Sequence, residues 1–455
     1  MRHGIVSKRT TGIIVICCIT ALLTFAARHF ELDDALIYAL YVRNALNCQG
    51  LVFNAGERVN ALTSPLLAVL LLATSWLMHG HILLAEMILS AAFLAGACIL
   101  AEEIAPWSGV LIASTGYFYM CFGMETMLFL FLIMLTYSLY RKGRLDLVPS
   151  AALLTFLTRF EGGLLGAVIA YDLWRNRRLP RPRAFLLPAV LVAAYLAFNF
   201  HFYGKLLPAS AAAKFGQGFS GLWGRWPRAF LHVELLVRIF RHTIYVIPVA
   251  FLLGILGVRS QRNTQMNRIL LPFLGGLLAF YVLLNIPNYH WYNAPFIFFL
   301  LIYAVIGLPQ TKLAHILLAC VIVQCTVAGI LDLRQQGANP NYVALARWVD
   351  AHSSPGAKIA AVEIGTIGWH SSRNVDDILG LTNPKNAGQL RKHDFYSWLE
   401  QDKPDFVVIH TPVAFGEVAA TTSPLYAYEP VHFGPVSLMY RKQVPVQQSK
   451  IEQPR

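Results

Sequence analysis

Two adjacent carboxylates, Asp33 and Asp34, follow an apolar run and open the polar stretch ELDDALIYALYVRNALNCQGLVFNAGERVNALTSP, which spans Glu31 to Pro65. Ionised side chains at a bilayer edge are costly unless they are solvated or used, so either carboxylate is a candidate general base. Further charged and aromatic groups recur at the ends of apolar segments. These are Glu125 in GMET, Arg159 and Glu161 in TRFEG, Tyr203 and Lys214 at the two ends of YGKLLPASAAAK, and His290 and Tyr292 in NYHWYN. Cations of this kind can hold phosphate oxygens, and flat aromatic faces can pack on sugar rings. Each residue also has a plain structural use. Asp33 suits a helix start, Lys214 can snorkel toward headgroups, Arg159 can pair with Glu161 or Glu125, and the aromatics around His290 fit an interfacial belt.

Composition sets the elements that must position these groups. Of 455 residues, 56% are hydrophobic and 13% charged, and the mean hydropathy is +0.53. That is the composition of an α-helical polytopic membrane protein. The formal net charge of +13 fits basic loops kept on the cytoplasmic side better than nucleic-acid binding. Spans are expected at 11–27, 82–100, 108–122, 126–140, 147–159, 162–174, 184–202, 235–257, 269–285, 294–309 and 313–332, about eleven in all. The apolar piece 65–78 is too short to cross and is expected to lie along the membrane surface, so the first outer loop runs over 30–81.

With the N-terminus cytoplasmic, the basic runs Arg141–Arg144, Arg175–Arg183 and Arg259–Arg268 fall inside, and every polar motif named above falls outside. Such convergence points to one cavity at the outer leaflet. Of the seven cysteines, only Cys48 lies outside apolar segments, so there is neither a disulfide framework nor metal-ligand spacing. Hydrolase signatures such as HExxH or GxSxG are absent.

Beyond the helical region, 1–335, the polarity becomes ordinary. NYVALARWVDAHS reads as an amphipathic helix, KIAAVEIG and DFVVIH as strands, and FYSWLEQDKPD as a helix running into a turn. A small extracytoplasmic α/β domain is expected over 336–445, with a disordered tail at 446–455.

The first loop resembles that of membrane glycosyltransferases of the GT-C type, nearest to the bacterial branch that includes the mycobacterial terminal arabinofuranosyltransferase. There the loop reads roughly DDAxIxxRYxRNLxxGxGLVFNPGERVEGYTSPL, against DDALIYALYVRNALNCQGLVFNAGERVNALTSPL here. GMET and TRFEG are similar to the family's GMETPLF and TRPEG, with Met127 and Phe160 where proline is usual. Tyr203 to Lys214 is similar to YYGxLLPxxxxAK, and Glu363–Gly368 and Asp376–Leu381 to EIGxIGY and DxxGL.

The resemblance implies a multi-pass enzyme of the bacterial inner membrane. It would move a sugar, with inversion, from a polyprenyl-phosphate donor to a cell-envelope glycan or lipid on the outer face. Asp33 or Asp34 would be the base, with Asp33 preferred as first of the pair. Lys214, Arg159 and His290 would hold the donor phosphate. Glu125, Glu161, Tyr203 and Tyr292 would contact sugar or acceptor, and either glutamate could instead bind a divalent ion. The glycines of EIGTIG would shape loops facing the membrane domain. The rival from another class is a transporter or flippase of lipid-linked sugar, against which stands the absence of charge deep in the long spans.

Overall fold

The structure is a computed structural model that describes residues 2–231 and 246–442. Its helices run in chain order: α1 Arg2–Ala26, α2 Asp33–Leu46, α3 Pro65–Leu77, α4 Ile82–Glu102, α5 Ser108–Ser114, α6 Thr126–Arg141, α7 Val148–Thr158 and α8 Gly163–Arg175. They continue with α9 Leu186–Tyr203, α10 Ser210–Phe219, α11 Val246–Ser260, α12 Gln265–Leu283, α13 Ala294–Ile306 and α14 Lys312–Arg334. Local chemistry marks several starts. Ser64 accepts the Leu67 N–H at 3.2 Å ahead of Pro65, and Thr311 accepts the Ala314 N–H at 3.2 Å, both helix caps.

By length and composition, four helical stretches among the described residues are able to cross a membrane: 82–102, 182–203, 265–283 and 312–334. Their outward faces are apolar, as with Leu187, Val190 and Phe200 on α9 and Leu313, Leu317 and Val323 on α14. The chain is a multi-pass membrane protein. One expected span differs: 108–122 is not a single helix, because α5 stops at Ser114 and a 3-10 turn follows over Gly116–Cys121. All seven residues of α5 are buried. The break lies where Gly116 meets Gly329 of α14 so closely that a Cβ would sit 2.9 Å from its Cα. Most of the first half of the expected span 235–257 and the tail 446–455 lie outside the described residues.

The C-terminal unit holds α15 Pro340–His352, β1 Lys358–Ala361, α16 Ile364–His370, β2 Asn374–Asp377, α17 Pro384–Arg391, α18 Ser397–Asp402, β3 Phe406–His410, α19 Val418–Thr422, β4 Tyr426–Phe433 and β5 Val436–Arg441. One five-stranded sheet is ordered β2-β1-β3-β5-β4. The first three strands are parallel, with Ile359 opposite both Val375 and Phe406. The β4–β5 hairpin is antiparallel and joins through β5, with Val408 opposite Leu438. Ile359, Val408 and Leu438 belong to a core shared with α2 and α3, so the sheet buries one face toward the first loop.

EIGTIG, expected to shape loops, is instead the start of helix α16, and its glycines serve a close helix contact. A Cβ on Gly365 would fall 1.8 Å from the Asp33 carbonyl oxygen, and one on Gly368 would fall 2.9 Å from a Leu40 methyl. Spaced three apart, the two glycines form a bare stripe against which α2 lies. Asn54 completes the junction by pairing with the backbone of Val375 on the edge strand β2, accepting its N–H at 3.1 Å and donating to its carbonyl at 3.0 Å. On the other side, α10 packs on α17, and Gln217 donates to the Leu379 carbonyl at 3.2 Å.

Candidate functional site

Asp33 and Asp34 occupy the first turn of α2, yet neither caps its own helix. Asp33 turns toward α16 and accepts the Thr366 N–H at 2.7 Å and the Gly365 N–H at 3.3 Å. It therefore caps a helix more than three hundred residues away in sequence. Loss of water and the neighbouring Asp34 charge push its carboxyl up to about 7, against the opposing pull of the backbone donors. Asp34 accepts no hydrogen bond from other described residues, and its charge acts on Tyr289, His290 and Tyr292. The pair thus divides, with one carboxylate engaged by α16 and the other left toward the NYHWYN turn.

Next to that turn lies a cavity of about 140 Å³ whose lining includes Glu125, Arg159, Glu161, Lys214, Tyr281 and Tyr292. Five of these six are residues singled out from the sequence, delivered by separate elements. Glu125 stands before α6, Arg159 and Glu161 fall in the break between α7 and α8, Lys214 is on α10, and Tyr292 opens the run into α13. The centre is ionic. Arg159 Nε donates to Glu161 at 2.8 Å, its Nη1 lies 3.7 Å from Glu125, and its guanidinium lies over the Tyr292 ring at 4.5 Å. Glu125 and Arg159 are 3% and 4% exposed, so their mutual compensation is required for burial.

Lys214 differs from Arg159. Its ammonium stands 4.4 Å from the centroid of the Tyr289 ring, and among the described residues no carboxylate pairs with it. It is the cation of this cavity that remains open to an incoming anion.

Four singled-out residues are not on the cavity's lining: Asp33 and Asp34 on α2, Tyr203 and His290. Tyr203 donates to the Leu51 carbonyl at 2.6 Å and packs edge-on to Phe198 and Phe202, which ties α9 to the first loop. His290 donates from Nε2 to the Met120 carbonyl at 2.9 Å, and its own carbonyl accepts from Tyr117. The sequence reading also missed participants. Tyr281 donates to Glu161 at 2.7 Å and receives Arg159 Nη2 at 3.3 Å. Tyr38 donates to Glu125 at 3.4 Å and shares a 2.6 Å bond with Thr63. A tyrosine inside an apolar segment was the available signal, since its hydroxyl needs a partner once buried. Among the described residues, no three histidine, cysteine or acidic side chains come together in a way that could hold a metal ion.

The architecture has known counterparts. ArnT from Cupriavidus metallidurans bound to undecaprenyl phosphate superposes with a TM-score of 0.60 at 12% identity, over 96% of this chain and 98% of that one. Its apo state gives 0.53 at 13% identity, over 94% and 98%. At these identities the likeness is one of fold. The arabinofuranosyltransferase AftD from Mycobacteria gives 0.48 at 14% identity, over 95% of this chain and 40% of that one. A family model described as a domain of unknown function, DUF8728, matches residues 330–447. No curated protein matches the chain.

Proposed function

We propose that this protein is an inverting glycosyltransferase that moves a sugar from a polyprenyl-phosphate donor to a cell-envelope glycan or lipid on the extracytoplasmic face of the bacterial inner membrane. The observation that carries the reading is a cation with no carboxylate partner among the described residues, Lys214, in a cavity whose Glu125 and Tyr292 feel the charge of the unengaged carboxylate Asp34, within a GT-C fold. The undecaprenyl phosphate bound to ArnT supports the donor class. A phosphate leaves without a general acid, so the chain has to supply only a base and an anion holder.

In this reading Asp34 takes the proton of the acceptor hydroxyl, whose oxygen forms the new bond to the anomeric carbon. The bond from that carbon to the phosphate oxygen breaks, and polyprenyl phosphate departs with its charge held by Lys214. Arg159, already matched by Glu125 and Glu161, keeps the cavity's shape. Asp33 positions the α2 turn by gripping α16. The preference for Asp33 as base is therefore reversed. About eleven spans, a cytoplasmic N-terminus and an outer C-terminal domain over 336–445 complete the arrangement.

The test is sugar transfer by the full chain reconstituted in lipid, with a panel of radiolabelled polyprenyl-phosphate sugars and envelope extract as acceptor. Asp34→Asn should abolish transfer and leave donor binding intact. Movement of lipid-linked sugar across the bilayer without transfer would instead identify a flippase.

A further inference from the structure

A second, polar pocket lies where the first loop meets the C-terminal sheet, apart from the cavity that holds Lys214. It encloses about 230 Å³, and its lining includes Arg43, Asn44, Asn47, Gln49, Arg373 and Asn374, with no aspartate or glutamate. That is smaller than the roughly 300–1,000 Å³ of sites for drug-sized ligands, so it suits one sugar residue better than a lipid. Unlike a filled polar junction, it keeps groups in reserve. The exposed side chains of Asn47 and Gln49 and the partly buried one of Asn374 make no hydrogen bond to other described residues, while Asn44 is spent on backbone groups and Asn54 on backbone groups and Glu57.

Its charge is positive. Arg373 is matched by Asp350 at 3.5 Å. Arg43 donates to the carbonyls of Trp369 at 3.0 Å and Gly368 at 3.1 Å and lies over the Trp369 ring at 5.0 Å. Among the described residues no carboxylate pairs with it. A half-buried guanidinium that meets only carbonyls keeps its full charge for a ligand.

From these groups we infer that the pocket binds an anionic sugar residue of the acceptor, a uronate or a sugar phosphate, some distance from the hydroxyl that is glycosylated. Amides and a guanidinium around a cup of this size match ring hydroxyls plus one carboxylate or phosphate. Arg43 lies ten residues beyond Asp33 on α2, about 15 Å along the helix. The sugar held here is thus further along the acceptor than the one at Asp34, and the pocket selects which glycan is presented. The inference rests on the transferase reading only in naming the occupant as part of the acceptor.

The experiment is equilibrium binding to the full chain in detergent, read by tryptophan fluorescence or calorimetry without donor. Trigalacturonate, glucose 6-phosphate and maltotriose are the probes. At least one anionic probe should bind about tenfold or more tighter than maltotriose, a difference of about 1.4 kcal/mol, and which one identifies the carrier of the charge. Arg43→Ala would also loosen α16, so the informative variants are Asn374→Asp and the pair Asn47→Ala with Gln49→Ala. Asn374→Asp should erase the anionic preference and spare maltotriose, and the double variant should weaken the anionic probe about tenfold. Equal binding of all probes by the wild-type chain, or unchanged binding by both variants, overturns the inference. Because no donor is present, failure of sugar transfer and failure of this pocket are read separately.

Discussion

Asp33 and Arg43, ten residues apart on α2, hold opposite ends of α16. The carboxylate receives the N–H groups of Gly365 and Thr366, and the guanidinium gives its protons to the carbonyls of Gly368 and Trp369. A negative group at the amino end and a positive one at the carboxyl end both complement the helix dipole. The first loop thereby binds the C-terminal unit through charge and direct hydrogen bonding, and the same unit rests on α10, which carries Lys214. Carboxylate pair, cation and sheet become one mechanical assembly.

The two aspartates should separate under mutation. Asp33→Ala removes an acceptor for two N–H groups, and a lost charged hydrogen bond costs about 1.5–3 kcal/mol. Its expected signature is faster limited proteolysis of the C-terminal unit together with reduced transfer. Asp34→Asn should leave proteolysis unchanged and stop transfer. If Asp33→Ala is proteolysed like wild type, Asp33 has no docking role, and the base assignment returns to it.

Gly365→Ala tests the same contact by volume. The added methyl would meet the Asp33 carbonyl oxygen at 1.8 Å, and a backbone oxygen cannot swing aside as a side chain can. Overpacking costs about 1–3 kcal/mol, and the upper end is expected here, seen as a lower melting temperature. Gly368→Ala meets only the tip of Leu40 at 2.9 Å and should cost less. Equal melting of the two variants would show that α16 is free to move off α2.

Much of this was legible in advance, and the remainder was hidden for a physical reason. The DDA start of α2, the amphipathic α15 and strands β1 and β3 follow from local pattern. So does the gathering of Glu125, Arg159, Glu161, Lys214 and Tyr292, once all are assigned to span ends on one side. Helix α16 could not be read, because two glycines in six residues disfavour a helix locally and the contact that stabilises it is made with α2, far away in sequence. The division of labour between Asp33 and Asp34 depends on that same contact. Tyr281 was obscured by its apolar neighbours on α12, and the β4–β5 hairpin by a strand with polar residues on its exposed face.

Lys214→Ala should weaken the donor without disturbing the fold. No ion pair with a described residue is broken, so melting should hold. Loss of one ammonium–phosphate contact, about 1.5–3 kcal/mol, should raise the donor KM roughly tenfold to a hundredfold. Lys214→Arg should recover part of it. An unchanged KM would remove Lys214 from the phosphate site.

Arg159 calls for the opposite pattern. Arg159→Met strands Glu125 and Glu161 in a buried place, and breaking a buried ion pair from one side costs about 3–5 kcal/mol. The measurement is thermal unfolding in detergent, where a large drop is expected. A variant that melts like wild type and loses only donor affinity would instead make Arg159 a phosphate ligand.

The last prediction concerns pH and the C-terminal unit. His410 sits between Glu363 at 3.1 Å and Glu417, and its Nε2 lies 2.9 Å from the Tyr342 hydroxyl oxygen. Hydrogen bonds to the two glutamates push the imidazole up to about 10 from an ordinary 6.5. A folded-state value above the unfolded one favours folding while the group is protonated. The stabilisation is therefore full below about 6.5 and fades as pH rises toward 10. His410→Gln should lower the melting temperature clearly near pH 6.5 and hardly at all near pH 10. Glu363 directly precedes α16, so transfer by the wild-type chain should lose heat tolerance across the same window. A melting difference that stays constant from 6.5 to 10 would mean that His410 is held by shape rather than by charge.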